Sequence, residues 1–154
     1  MDALGQGSFR RFLMLTSAIL FAVFIGVAIC AHQVSDHIFQ TDKMAANKAK
    51  PGRVGWSYLL QHVYIYHLVM VGMLLVTVVL LGLPITVLGL VSSIAFSAIT
   101  HAVLDRRWPV KWILDHTGSP DFANLQTPLC GMYLADQSLH YFCLWISALL
   151  FACL

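Results

Sequence analysis

The stretch FLMLTSAILFAVFIGVAICAHQVSDHIFQ, residues 12–40, decides the fold. Residues 12–31 carry no charged side chain and match the ~20 apolar residues that cross the hydrocarbon core of a bilayer. A helix on the surface of a soluble domain would interrupt such a run with polar residues every three or four positions. This one does so only at its end, where His32, Asp36, His37 and Gln40 arrive within nine residues. A span that closes on titratable groups raises the question of what those groups face.

The rest of the chain repeats the pattern. Of its 154 residues 59% are hydrophobic and only 10% charged, with a mean hydropathy of +0.78, which rejects a soluble globule. Apolar runs near span length lie at about 12–31, 54–83, 85–104 and 134–154. We therefore expect an all-α polytopic membrane protein, a single domain over 1–154 with four transmembrane helices. "GLPIT", residues 82–86, joins the second and third spans, and Pro84 breaks the helix there, so a tight helical hairpin is expected. In "DRRWPVKWILDHTGSPDF", Pro109 suits a helix start, Trp108 and Trp112 are interfacial residues four apart, and Gly118 to Pro120 marks a stop. A short interfacial helix over about 108–118 follows, and the segment after it, "SPDFANLQTPLCG", reads as irregular.

Charge gives an orientation. Lys43, Lys48, Lys50, Arg53, Arg106, Arg107 and Lys111 fall in the two long loops, against Arg10 and Arg11 on the other side. The positive-inside rule makes the long loops cytoplasmic and puts both termini outside. We do not expect the first span to be a signal peptide or a lipoprotein leader, since its run exceeds a signal core and Ile29, not a small residue, precedes Cys30. Cys30, Cys130, Cys143 and Cys153 form no CxxC pair, so neither a zinc knuckle nor a thioredoxin-type motif is present. A net charge of +2 gives no reason to expect a nucleic-acid partner.

The titratable residues gather at one membrane face. His32 and Asp36 end the first span, His62 and His67 lie early in the second, His101 and Asp105 end the third, and Asp136 and His140 begin the fourth. His32/Asp36, His101/Asp105 and Asp136/His140 are each four residues apart, which stacks the two side chains on one helix face. Gln40 extends the first stripe by a turn, whereas His37 is rotated away by about 100°. His62 and His67 do not share a face, and His62, nearer the loop end, is the one expected to join the cluster. Neutral imidazoles and carboxylates aimed between helices suit a borderline divalent metal, zinc first, with manganese or iron as alternatives. The expected ligands are His32, Asp36, His62, His101, Asp136 and His140. Asp105 and Gln40 are the expected catalytic groups, Asp105 as the base, with Asp42 and Lys43 at the mouth. The bland readings make Asp136 a helix cap and Asp105 an ion-pair partner of Arg106 and Arg107. "HQVSD" at the end of the first span and "HAVLD" at the end of the third form a faint internal echo.

On "HQVSDHIFQTDKMAANK" at 32–48, the His62 region, "THAVLD" at 100–105 and "DQSLHY" at 136–141, the chain resembles a family of small bacterial and phage membrane proteins known only as a domain of unknown function. The resemblance covers nearly the whole chain. It implies a polytopic inner-membrane protein and supplies no reaction. His37 departs from it, standing where an apolar or aromatic residue is expected. A looser likeness to membrane-bound metal-dependent hydrolases rests only on the His/Asp pairs at helix ends.

Three readings follow from these residues. The first is a metal-dependent hydrolase at the cytoplasmic leaflet acting on a lipid-like or phosphorylated substrate, with the metal acidifying a water. The absence of HExxH and of dense histidine boxes counts against it. The second is a metal or proton transporter, weakened by the apolar outer halves of the spans. The third is a non-catalytic subunit, phage-encoded or otherwise, whose polar cluster holds the helices together while its apolar surface binds another membrane protein or a second copy.

Overall fold

In the computed structural model, which describes residues 3–154, every regular element is helical. The long helices are α1 (Ala3–Val34), α3 (Gly52–Leu81), α4 (Val87–Leu104) and α7 (Gly131–Cys153), with short helices α2 (Asp42–Asn47), α5 (Trp108–His116) and α6 (Pro120–Asn124) in the connections. In lipid no water is present to satisfy a free N–H or C=O, so uncharged runs of this length close their hydrogen bonds internally as helices. Three segments are long and apolar enough to cross a membrane: Gln6–Phe39, Gly52–Leu81 and Val87–Leu104. α7 has the length, but it opens with Asp136, Gln137 and His140, so its uninterrupted apolar part is short of the ~20 residues a span uses. The first helix does not stop at Ala31. It continues to Val34 and then through a π turn, Ser35–Phe39, closed by the Gln40 N–H on the Ser35 carbonyl at 2.9 Å.

α3 ends where Gly82 takes a left-handed conformation (φ +60°), and the N–H groups of Gly82 and Leu83 return to Val79 and Val78, a Schellman closure. Thr86 then caps α4, its Oγ1 accepting from Gly89 N–H at 2.9 Å. The short connection does not make α3 and α4 close partners. α4 packs most extensively on α7, and α7 also packs on α1. The reason lies in the residues Gly89, Ser93, Ser97 and His101, one every four positions, which form the buried face of α4. Small residues let helix backbones approach within a membrane, and a Cβ on Gly89 would meet the Phe151 carbonyl of α7 at 2.8 Å. The α3–α4 seam is correspondingly looser and holds an apolar groove lined by Val71, Leu90, Val91, Ile94 and Ala98. The hairpin read from the sequence is tight in connection and open in packing.

The bundle interior divides along its length. One half is apolar, with Leu20, Phe24, Met70, Leu74, Val78, Leu144, Ala148 and Phe151 in a single cluster. The other half, toward the long connections, buries His32, His62, His101, Asp105, Gln137 and His140. α5 lies beside that end with Val110 and Leu114 inward and Trp108 and Trp112 exposed, an amphipathic helix. Part of the stretch expected to be irregular forms α6, and the remainder, 125–130, is irregular.

Candidate metal centre

Four stripes with a spacing of three or four residues deliver the polar groups. Leu20, Phe24, Ala28 and His32 descend α1; Leu59, His62 and Tyr66 lie on one face of α3; Ser97, His101 and Asp105 continue the small-residue face of α4; and His140 and Leu144 belong to α7. At their meeting point the Nε2 atoms of His62 and His101 are 3.0 Å apart. Asp105 Oδ2 lies 3.2 Å from the first and 3.3 Å from the second. These three atoms form a nearly equilateral triangle. One face of a tetrahedral site with bonds of about 2.0 Å has edges of about 3.3 Å, so His62, His101 and Asp105 could hold an ion as they stand. Asp36 Oδ1 comes within 3.3 Å of His62 Nε2 and 3.8 Å of His101 Nε2. His32, Asp36 and His101 make a second group whose donor atoms converge.

Proton positions inferred from hydrogen bonds sort the remaining histidines. His140 Nδ1–H donates to the Asp136 carbonyl at 2.9 Å, which leaves the Nε2 lone pair facing inward, buried and without a partner. It sits 3.9 Å from Asp105 Oδ1. A ring nitrogen tied to a backbone carbonyl while the other is free is the common arrangement of a ligating histidine. His32 differs: its Nε2–H donates to Gln137 Oε1 at 3.0 Å and its Nδ1 accepts from the Tyr66 hydroxyl at 3.2 Å. Both of its nitrogens are engaged, 3.7 Å from Asp36 Oδ2. His67 bonds to Ser97 and to the Val63 carbonyl, deeper in the bundle. His37 donates to the Gln33 carbonyl and accepts from Tyr133 at 2.6 Å, at the rim.

Residues the sequence did not single out complete the site. Lys48, counted from the sequence only as a loop charge, is buried with its ammonium 2.7 Å from Asp105 Oδ1. Arg106 straps the Lys48 segment down, donating to the carbonyls of Lys48 (2.9 Å) and Lys50 (3.0 Å), with its guanidinium over Trp56. Tyr66, 1% exposed, lies against the rings of His32, His62, His67 and His101. Gln33 donates to the Tyr141 hydroxyl. Burial pushes the Asp105 carboxyl up, but the imidazoles of His101 and His62 and the Lys48 ammonium outweigh it and hold the group well below the usual carboxylate range.

A family model described as a protein of unknown function (DUF3307) matches residues 23–154. The chain belongs to this family. No curated protein and no solved structure matches it. The DUF3307 match takes in every one of the converging groups, from His32 to His140, and leaves outside it only the first part of α1.

Within this DUF3307 chain the charges do not balance. Asp36, Asp105 and Asp136 gather near one buried ammonium, that of Lys48; Asp136 Oδ1 is buried without a hydrogen-bond partner, and Asp36 Oδ1 and Asp105 Oδ2 have beside them only the Nε2 atoms of His62 and His101, at 3.2 to 3.8 Å. Unpaired buried carboxylate oxygens are costly, and a dication would satisfy them. The cluster opens to a polar cavity of about 140 Å³ lined by Asp36, His37, Gln40, Arg107, Tyr133 and Asp136 among others, several times what one water needs. Gln40 reaches it with Nε2 donating to the Asp36 carbonyl at 3.1 Å and Oε1 unpaired. All eight residues expected from the sequence thus lie on or beside one site: Asp105 within the triangle, Gln40 and Asp136 at the cavity.

Proposed function

We propose that the chain is a single four-span domain of a bacterial inner membrane, with α7 as the fourth span and the long connections cytoplasmic, and that it is a metal-dependent hydrolase acting on a membrane-associated substrate. The observation that carries the reading is the triangle of His62 Nε2, His101 Nε2 and Asp105 Oδ2, with edges of 3.0, 3.2 and 3.3 Å, beside the orphaned Asp136 Oδ1. Two imidazole nitrogens and a carboxylate oxygen with space for a fourth ligand suit zinc, and a bound dication would acidify a water in that fourth position. Asp36 and His140 are the further ligands in reach.

We assign Asp105 as a ligand, since one of its oxygens is in the triangle and the other takes Lys48. Asp136, on the cavity wall with Oδ1 unpaired, is the better-placed base to take the proton of that water. His32, with its two nitrogens bonded to Tyr66 and Gln137, is not assigned as a ligand. Transport is less well supported, because the apolar cluster from Leu20 to Phe151 fills the other half of the bundle.

The test is elemental analysis of chain purified in detergent without chelator, as wild type, His101→Ala and His140→Ala, followed by hydrolysis assays on the loaded wild type. About one zinc per chain, lost in His101→Ala and bound more weakly in His140→Ala, supports the reading. A folded wild type that holds no metal after zinc is supplied sinks it and leaves the cluster as a device that holds four helices together.

A further inference from the structure

Arg107 occupies a backbone conformation that only glycine adopts without strain. Its φ is +63° and its ψ −32°, and it is the one non-glycine residue with positive φ among the described residues. Such strain persists where the surroundings impose it, and it collects at functional sites. Here it sends adjacent arginines in different directions. Arg106 goes to the Lys48 and Lys50 carbonyls and Trp56, while Arg107 lines the polar cavity. Among the described residues the Arg107 guanidinium forms no hydrogen bond, ion pair or ring contact, so its five donors are uncommitted. Gln137 lines the same cavity, and its oxygen is taken by His32, which leaves its NH₂ group for an acceptor.

We propose that this cavity binds a phosphate-type oxyanion, with one oxygen toward the metal, a pair on the Arg107 fork and another on the Gln137 amide. The inference rests on the metal reading, because without a dication Asp36, Asp105 and Asp136 would repel an anion from the same wall. The donors come from two separate elements, Arg107 from the α4–α5 connection and Gln137 from α7, and a tetrahedral anion has oxygens enough for both and for a dication, where a carboxylate has two. A planar guanidinium is the side chain best matched to two such oxygens at once. Glycine would suit the backbone at 107 without cost, so an arginine there is explained by the use of its head group. The phosphate can be a soluble ion or the headgroup of a phosphomonoester lipid, since the shared chemistry is the same.

The experiment titrates inorganic phosphate into detergent-purified chain, zinc-loaded and chelated, for wild type and Arg107→Gly, with zinc content and thermal midpoint measured in parallel. The expected result is phosphate binding to the zinc-loaded wild type only, weakened about tenfold or more in Arg107→Gly, while that variant keeps its zinc and melts no lower than wild type. Equal affinity in the two proteins, affinity that survives chelation, or no binding to a zinc-loaded wild type overturns the proposal. Loss of the zinc itself is a separate failure, that of the metal reading, and the parallel zinc measurement distinguishes the two. Competition by nanodiscs of phosphatidylcholine containing phosphatidic acid, and not by phosphatidylcholine alone, assigns the oxyanion to a lipid headgroup. Phosphate binding without such competition assigns it to the soluble ion.

Discussion

Replacing Asp105 by asparagine removes a proposed metal ligand and the counter-ion of Lys48 together, and a double-mutant cycle with Lys48→Met separates the two. The Lys48 ammonium is 2.7 Å from Asp105 Oδ1, with the two side chains 8% and 2% exposed. In metal-free protein Asp105→Asn leaves that ammonium buried against a neutral amide, which costs about 3–5 kcal/mol out of a total stability on the order of 5–15 kcal/mol. Lys48→Met leaves the carboxylate, but His62 and His101 stand 3.2 and 3.3 Å from its other oxygen and can share a proton with it. The cost there is about 1–3 kcal/mol. The double variant carries neither charge, and methionine fills the volume of the lysine stem, so it should return to within about 1–2 kcal/mol of wild type, a coupling of about 4–5 kcal/mol. Its zinc should nevertheless be lost, because the triangle lacks a corner. Unfolding of chelated protein in detergent, with zinc content in parallel, reads both quantities. A double variant as unstable as Asp105→Asn refutes the buried-pair argument, and one that retains zinc at wild-type affinity refutes the triangle.

Other expectations are shorter to state. Tyr66→Phe removes the hydroxyl that donates to His32 Nδ1; unfolding of the chelated protein should show stability lower by about 1 kcal/mol. Gly55→Ala would drive a Cβ into the Lys50 carbonyl and lift the segment that carries Lys48, so the variant should unfold earlier, by about 1–3 kcal/mol, and adding Lys48→Met should then cost less than it does in wild type. Because the Asp105 carboxyl is held below its ordinary range, its ionised form contributes stability that is complete above about pH 4 and is lost as the pH falls through the folded-state value. Acid unfolding of the chelated wild type should therefore steepen below about pH 4 and be shallower there in Asp105→Asn.

The clustering of the His and Asp side chains was legible because its signals are local. His32/Asp36, His101/Asp105 and Asp136/His140 are pairs one turn apart on single helices, and helix geometry alone stacks them. The choice of His62 over His67 needed only the position of each along α3. What was not legible depends on contacts between distant parts of the chain. Lys48 is 57 residues from Asp105, and in the sequence it is indistinguishable from Lys43 and Lys50. Gln137 meets His32 across 105 residues. Tyr66 reads as one more aromatic in a span, and only the bundle shows it touching four histidine rings. The looseness of α3 against α4 was hidden for a different reason: a short connection implies adjacency, whereas packing follows the small-residue face of α4, which turns toward α7. That face was present in the sequence as Gly89, Ser93 and Ser97, a four-residue spacing that continues into His101 and Asp105.

The same spacing explains why the polar groups collect at one end. Along α4 the buried stripe passes from glycine through two serines to histidine and aspartate, and at its glycine end, where it is least polar, a Cβ would meet the Phe151 carbonyl of α7. At the far end Phe24 and Phe151 pack with ring centroids 4.8 Å apart, amid Leu20, Leu74 and Val78. A conduit would need polar groups or a continuous cavity through this layer, and the described residues there form an apolar core instead. Toward the other end Tyr66 borders the apolar half, and beyond it His32, Lys48, His62, His101, Asp105 and His140 are buried among Met44, Leu59 and Leu104. The cavity that reaches these groups opens past Asp136, Tyr133 and Arg107, on the side of the long connections. A site that is dry on one side and reachable from the other is suited to holding an ion and a reactant at the membrane surface, because the apolar wall strengthens each electrostatic contact that the open wall admits.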